Sequence, residues 1–411
     1  MFARWKSNIY SFISFGYSTF NSMKYRFLLA LVCVSFLSCK KDPPIPELLP
    51  NEFQLNYGGA AEDLGKAVLE YNNGDLYIAG STASYGVGLN DMFVIKTDAK
   101  GKKIWSKAYG GIADDEGTEL IMMADGNLLV LGTTSSNGAG AKDIFLLKID
   151  TSGAILWQKY FGGSGDETGE DLMMTSDGNY MITGVTTSFG SGLRDIYVIK
   201  INDSGTLLWS KTFGGTADDG GSSLCQAPAG DVMLFNYTDN YGAINRDLYV
   251  IRINSSGDSL SSWLYGGNEY EEAQSIEPTA DGNFILFGHS ASFGHIEHNM
   301  YALKISGTGT ILWENNYGGM FHDGGEHGRQ CMGGGYVLAG RTSSYGNGFE
   351  QMYLLKTDEG GNLQWQKDIG GTEDDAAYNI METDEAYFLV GNTRSVTNGN
   401  NDVFLAKIIK Q

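Results

Sequence analysis

Short apolar bursts alternate with glycine-rich polar stretches along most of the chain. Between residues 119 and 159 they predict four strands: Glu119–Met123, Asn127–Leu131, Asp143–Ile149 and Ala154–Lys159, the last carrying Trp157. Asp125-Gly126 signals a tight hairpin between the first two, with both central residues expected at φ > 0. Glycines fall too often for helices, and no 3.6-residue apolar stripe survives.

The same pattern returns along the chain. Aromatic-Gly-Gly begins at Tyr57, Tyr109, Phe161, Phe213, Tyr265 and Tyr317, and Ile369 takes the aromatic place once more, every step being 52 residues. A fixed period of that size means one supersecondary unit repeated in space. Four strands in a unit of about 50 residues match a blade of kelch-like length. Seven copies therefore predict an all-β, seven-bladed β-propeller with four-stranded blades. The last copy stops after its third strand, Asp402–Ile409, and lacks the tryptophan-bearing fourth. Glu52–Asn56 stands ahead of the first copy, with Phe53 four residues before Tyr57 as Trp105 is before Tyr109. The N-terminal strand is thus expected to close the last blade and cover an open edge.

Three segments follow: a leader over 1–38, a tether over 39–50 and the propeller over 51–411. Lys24 and Arg26 precede an apolar run, Phe27–Leu37, of 11 residues. That run is too short to span a bilayer and right for a signal peptide, with Met23 the expected start. It ends in Phe36-Leu37-Ser38-Cys39, which resembles the lipobox of bacterial lipoproteins; the resemblance implies that Cys39 is lipidated and becomes the mature N-terminus. Lys40–Pro50 holds four of the six prolines, a stiff extended tether. At about 3.1 Å per residue it would hold the ring roughly 30 Å from a membrane. Cys39-Lys40-Lys41-Asp42 looks like the start of Bacteroidota lipoproteins, so an outer-membrane lipoprotein is expected, on either side of that membrane.

Composition narrows the partners. The first 38 residues contain four basic residues and no acidic one, which leaves 24 Lys and Arg against 49 Asp and Glu. So acidic a surface repels phosphate backbones and disfavours nucleic acid. Of the four cysteines, Cys225 and Cys331 fall in the ring, in blades four and six. That separation is too wide for a disulfide, and two small buried residues are expected.

The runs Asp98-Gly101-Trp105, Asp150-Gly153-Trp157 and Asp203-Gly205-Trp209 look like the tryptophan-docking motif of quinoprotein propellers, where the tryptophan packs between neighbouring blades. No counterpart of that family's cofactor and calcium residues is found. More closely, the whole unit resembles a propeller repeat common in Bacteroidota envelope proteins: Tyr-Gly-Gly, Asp-Gly-Asn, Gly-x-Thr, Asp-x-x-x-x-Lys and Leu-Trp-x-Lys. The likeness covers 51–411 and implies little about activity.

Candidate chemistry lies on the upper face, where the loop entering each first strand and the loop from second to third strand meet. An acidic residue stands six positions after the aromatic in every copy: Asp63, Asp115, Glu167, Asp219, Glu271, Asp323 and Asp375. Recurrence in every copy favours carboxylates that accept backbone N–H bonds in a repeated turn over a cation-binding collar.

Departures from the repeat are sharper. All five histidines, His289, His295, His298, His322 and His327, fall in blades five and six, where Glu297, Asp323 and Glu326 join them. Imidazoles with carboxylates are a ligand set for zinc or another divalent ion such as calcium. Drift in two diverged blades is the blander reading and the better supported. These blades also carry Gly328 at an apolar position of strand one, and the fifth is expected to hold its tryptophan two residues late, as Trp263.

No G-x-S-x-G, Cys/His pair or paired metal motif is present. The expectation is a lipid-anchored binding or scaffold module whose upper face meets a protein or glycan, touching the membrane through its lipid alone. A polysaccharide-acting enzyme using carboxylates or a histidine-bound metal is the alternative. An enzyme calls for a deep pocket with carboxylates about 5–10 Å apart. A binder calls for exposed aromatics such as Tyr270, Phe293 or Phe321 around a cleft.

Overall fold

The computed structural model describes residues 49–242, 245–293, 297–347, 349–397 and 400–410. The leader, Cys39 and His295 lie outside them. The described chain forms 28 strands in seven four-stranded antiparallel sheets, a β-propeller. In blade 1 the order from the axis outward is Asp63–Glu70, Leu76–Thr82, Asp91–Thr97 and Lys103–Tyr109. Blades 2 to 6 repeat it. Blade 7 is built from Asp375–Glu382, Ala386–Thr393, Asp402–Ile409 and, outermost, Phe53–Tyr57 from the N-terminal side. Leu55 faces Leu405 across that pairing, so the expected closure is present.

Apolar clusters lie between blades as well as within them. Phe235 and Val250 of blade 4 pack with Leu286 and Tyr301 of blade 5. Ile78 and Phe93 of blade 1 pack with Phe388 and Leu405 of blade 7, which seals the ring. Each blade buries both faces of its middle strands, so those strands read as continuous apolar runs. Outer strands show one face to solvent and alternate.

Blades dock through their outer strands. Tyr109 Oη donates to Gly153 O of the next blade at 2.8 Å, and Tyr317 Oη to Gly361 O at 2.6 Å. Trp105 Nε1 donates to Thr151 O at 3.3 Å beside the same turn. The expected packing of tryptophan between blades is therefore seen. Trp263 is a correction: it lies in Ser259–Tyr265, the outer strand of blade 4, not blade 5. It pairs with Val250, whereas Trp209 pairs with Lys200, one pleat away. A shift of two residues keeps a side chain on the same face of a strand, so docking survives.

The hairpin signal also needs correcting. Only Gly126 of the Asp125-Gly126 pair has positive φ, at 80°. Gly126 N reaches Met123 O at 3.0 Å and Met123 N reaches Asn127 O at 2.8 Å, a three-residue loop with a glycine bulge. Strand limits differ too. The first strand of blade 2 begins at Asp115 rather than Glu119, and the second runs Leu128–Thr134. Apolar periodicity cannot see strand ends that are capped by polar side chains.

Candidate functional site

The recurrent acidic residues open the inner strands and are fully buried. Asp115 Oδ2 accepts from Gly111 N at 2.7 Å and Ser136 Oγ at 2.7 Å. Glu167 accepts from Gly163 N at 2.6 Å and Thr186 Oγ1 at 2.6 Å. Asp323 accepts from Gly319 N at 2.7 Å, Ser344 Oγ at 2.6 Å and Thr342 Oγ1. These carboxylates hold the loop entering each blade to the loop from second to third strand. No negative collar faces solvent at these positions.

The surface-facing chemistry arises one turn further along each inner strand. A β-bulge interrupts every pairing of first and second strand at one place, between Gly65 and Ala67 in blade 1 and at the equivalent step in the other six. A bulge leaves one residue unpaired and re-aims its side chain. The seven bulged residues are Lys66, Thr118, Glu170, Ser222, Gln274, Glu326 and Tyr378, and all seven line one central cavity of about 580 Å³. The residue before each is Gly or Ala because the strand there lies against the preceding blade. A Cβ on Gly117 would stand 2.8 Å from Gly80 O.

Charged groups crowd this channel. Burial, reinforced by Asp171, pushes the Glu119 carboxyl up to about 8. Burial also raises Asp171, against hydrogen bonds from Ser223 Oγ at 2.7 Å and Leu224 N at 3.0 Å. Lys66 Nζ lies 3.7 Å above the Tyr378 ring centre, a cation–π contact. Glu170 reaches into the lumen and accepts from Thr168 Oγ1 at 2.7 Å.

Three of the histidines do meet. Ring centres of His289 and His322 are 6.4 Å apart, and those of His298 and His322 are 5.6 Å apart. His289 is buried, with Nε2 at 3.8 Å from Glu326 Oε1, and Arg341 Nε stands 3.5 Å from the same oxygen. Burial lowers the His289 and His322 imidazoles from their ordinary range, and raises the Glu326 carboxyl against the pull of Arg341. His327 lines the channel, lowered to about 3 by burial and by Arg329. Asp323 is turned into its loop and does not join them. Among the described residues no three His, Cys, Asp or Glu side chains are placed to hold a metal ion, so the zinc or calcium expectation has no assembled ligand set there.

Tyr270 stands edge-on to His298 with ring centres 5.6 Å apart, and Phe293 stacks on Tyr301 at 5.3 Å. Phe321 is exposed. Cys225 and Cys331 are free and buried, as expected. Sequence reasoning missed Lys66, Glu119, Glu170, Asp171 and Tyr378. Their signal was two adjacent columns, at 66 and at 67 plus multiples of 52, which hold a different chemistry in nearly every copy.

No family model matches the chain. Regulatory protein FlaEY of Caulobacter vibrioides is 26% identical over 150 residues, a stretch covering 31% of this chain and only 16% of that protein's length. Among solved structures, the WD40 domain of Neurospora crassa Pan2 superposes with a TM-score of 0.53 at 10% identity, covering 89% of this chain and 98% of that one. Polysaccharide lyase Uly1 gives 0.52 at 9%, covering 86% and 91%. A putative 6-phosphogluconolactonase from Bacteroides uniformis gives 0.50 at 12%, covering 75% and 86%. At such identities the likeness is one of fold: the protein is a seven-bladed β-propeller.

Proposed function

We propose that the protein is a cell-envelope binding module, tethered by a lipid on Cys39, that takes a glycan at the upper mouth of its central channel. One observation carries this reading: seven bulges at one level of the ring aim seven side chains into a single cavity, and only glutamate occurs twice among them. Positions that build the blades are nearly uniform, whereas positions that face the lumen differ. A cavity of about 580 Å³ is within the usual small-ligand range of roughly 300–1,000 Å³. Its wall alternates donors and acceptors, with Tyr378 and Tyr237 as aromatic faces. Hydroxyl-rich sugars offer the matching donors and acceptors in many directions.

The test is a glycan array on the purified protein, followed by calorimetric titration of the best hit. Glu170→Ala and Lys66→Ala should each weaken binding about tenfold, the loss of one charged hydrogen-bonding partner. Equal affinity in both variants would remove the channel from consideration. A second reading has one specific support: a channel carboxyl raised to about 8, Glu119, is suited to general acid work on a polysaccharide. Release of new reducing ends by wild type but not by Glu119→Gln would favour it.

A further inference from the structure

An ion pair recurs on the lower face, opposite the channel mouth. In blades 1 to 5 the turn between the first two strands carries an aspartate, just before or just after its glycine. That carboxylate meets a basic residue of the third strand: Asp75–Lys96 at 3.0 Å, Asp125–Lys148 at 2.6 Å, Asp177–Lys200 at 2.7 Å, Asp231–Arg252 at 2.6 Å and Asp281–Lys304 at 2.7 Å. The Lys200 side chain is 5% exposed and the Asp177 side chain 47%, so a sunken ammonium is answered from the surface.

Blade 6 keeps the lysine and loses the acid. Its turn reads Met332-Gly333-Gly334-Gly335, with glycine at both places where an aspartate stands elsewhere. Lys356 Nζ donates to Gly334 O at 2.6 Å and Thr357 O at 3.1 Å, neutral carbonyls only. Neighbouring carboxylates are engaged. Glu382 holds Lys410 Nζ at 2.6 Å and Met332 N at 3.0 Å, and Asp358 accepts from Gly360 N at 2.9 Å and Asn362 N at 2.8 Å. Where the aspartate is missing, a cavity of about 590 Å³ opens, lined by the glycine turn, Lys356, Lys410 and Tyr387.

We propose that this cavity binds a small carboxylate ligand, whose carboxylate sits on Lys356 where the turn aspartate sits in the other blades. A partly sunken ammonium with no carboxylate in contact, Asp358 acting on it only at a distance, gains most from an anion of that size and shape. Glu359 and Asp384 also line the cavity and repel polyanions, so the ligand carries one carboxylate and a neutral or cationic remainder. Gly333 is open to repair: its backbone is not left-handed, and a Cβ there would meet nothing within 4 Å.

Saturation-transfer NMR with acetate, and with acetamide as the neutral isostere, tests this on wild type, Gly333→Asp and Lys356→Gln. Acetate should show transfer from wild type at least fivefold above acetamide and above either variant. It should also raise the melting temperature of wild type but not of Gly333→Asp. Gly333→Asp restores the arrangement of blades 2, 3 and 5 and should melt higher than wild type without ligand, which shows it folded. Full acetate signal in Gly333→Asp overturns the proposal, whatever Lys356→Gln does. Loss in Gly333→Asp with full signal in Lys356→Gln overturns the role of the ammonium.

Discussion

Asp115 and Glu119 lie four residues apart on one inner strand and have opposite fates. Asp115 is sealed in the loop that enters blade 2, where a backbone N–H and the Ser136 hydroxyl at 2.7 Å each hold it. Glu119 follows the bulge, accepts Leu120 N at 2.8 Å and is left near Asp171, so its carboxyl clings to a proton. The first kind of carboxylate is a structural pin. The second is an ionisable group whose charged form costs stability, the kind of cost that functional sites carry. What separates them is whether donors converge on the group, not how often it recurs in sequence.

That contrast can be broken at three points. Asp323→Ala removes a pin and strands the donors Gly319 N, Ser344 Oγ and Thr342 Oγ1; urea unfolding should show a loss of about 3 kcal/mol. A loss below about 1 kcal/mol would mean that water replaces the carboxylate and that the pins are dispensable.

Glu119→Gln should act with the opposite sign. The folded carboxyl titrates near 8, against an ordinary value of 4.5. Folded and unfolded chains are both protonated below 4.5, and above it only the folded chain keeps the proton. The stability present at low pH is therefore lost as pH rises through about 8. The variant should be more stable than wild type by about 2 kcal/mol at pH 9, with the channel's water screening part of the charge. The difference should shrink toward pH 5. A pH-independent difference would mean that Glu119 is not the titrating group.

Glu170→Gln sharpens the comparison through a null effect on folding. Desolvation raises its carboxyl too, but its side chain is exposed to the lumen and accepts only the Thr168 hydroxyl, so water screens the charge and unfolding free energy should stay within about 0.5 kcal/mol of wild type. Any larger loss would make the bulged residue part of the scaffold.

The seven-bladed ring, its closing strand and the turn role of the recurrent acids were all legible in the sequence, because each follows from a periodic pattern. Residues that differ between copies were harder to read. Gly328 stood out only as a break in the apolar pattern of blade 6's inner strand; Phe287 of blade 5 fills the space, its ring standing 2.7 Å from where a Cβ would be. The sequence spacing of the histidines did not show that His289 and His298 each approach His322, with His289 beside Glu326; loops of two blades sharing one face bring them there. Lys356 matched its repeat and looked ordinary; only its lost partner, across a turn in space, makes it unusual.

Sequence alone thus determined the architecture: a 52-residue period with apolar middle strands and Gly-rich turns has one way to bury its surfaces, a closed ring of sheets. Tertiary structure decided which polar groups are spent on that ring and which are left over. A carboxylate's fate depends on the donors brought to it by other strands. One bulge per blade, which no apolar periodicity records, is what turns seven side chains from sheet pairing into a common channel.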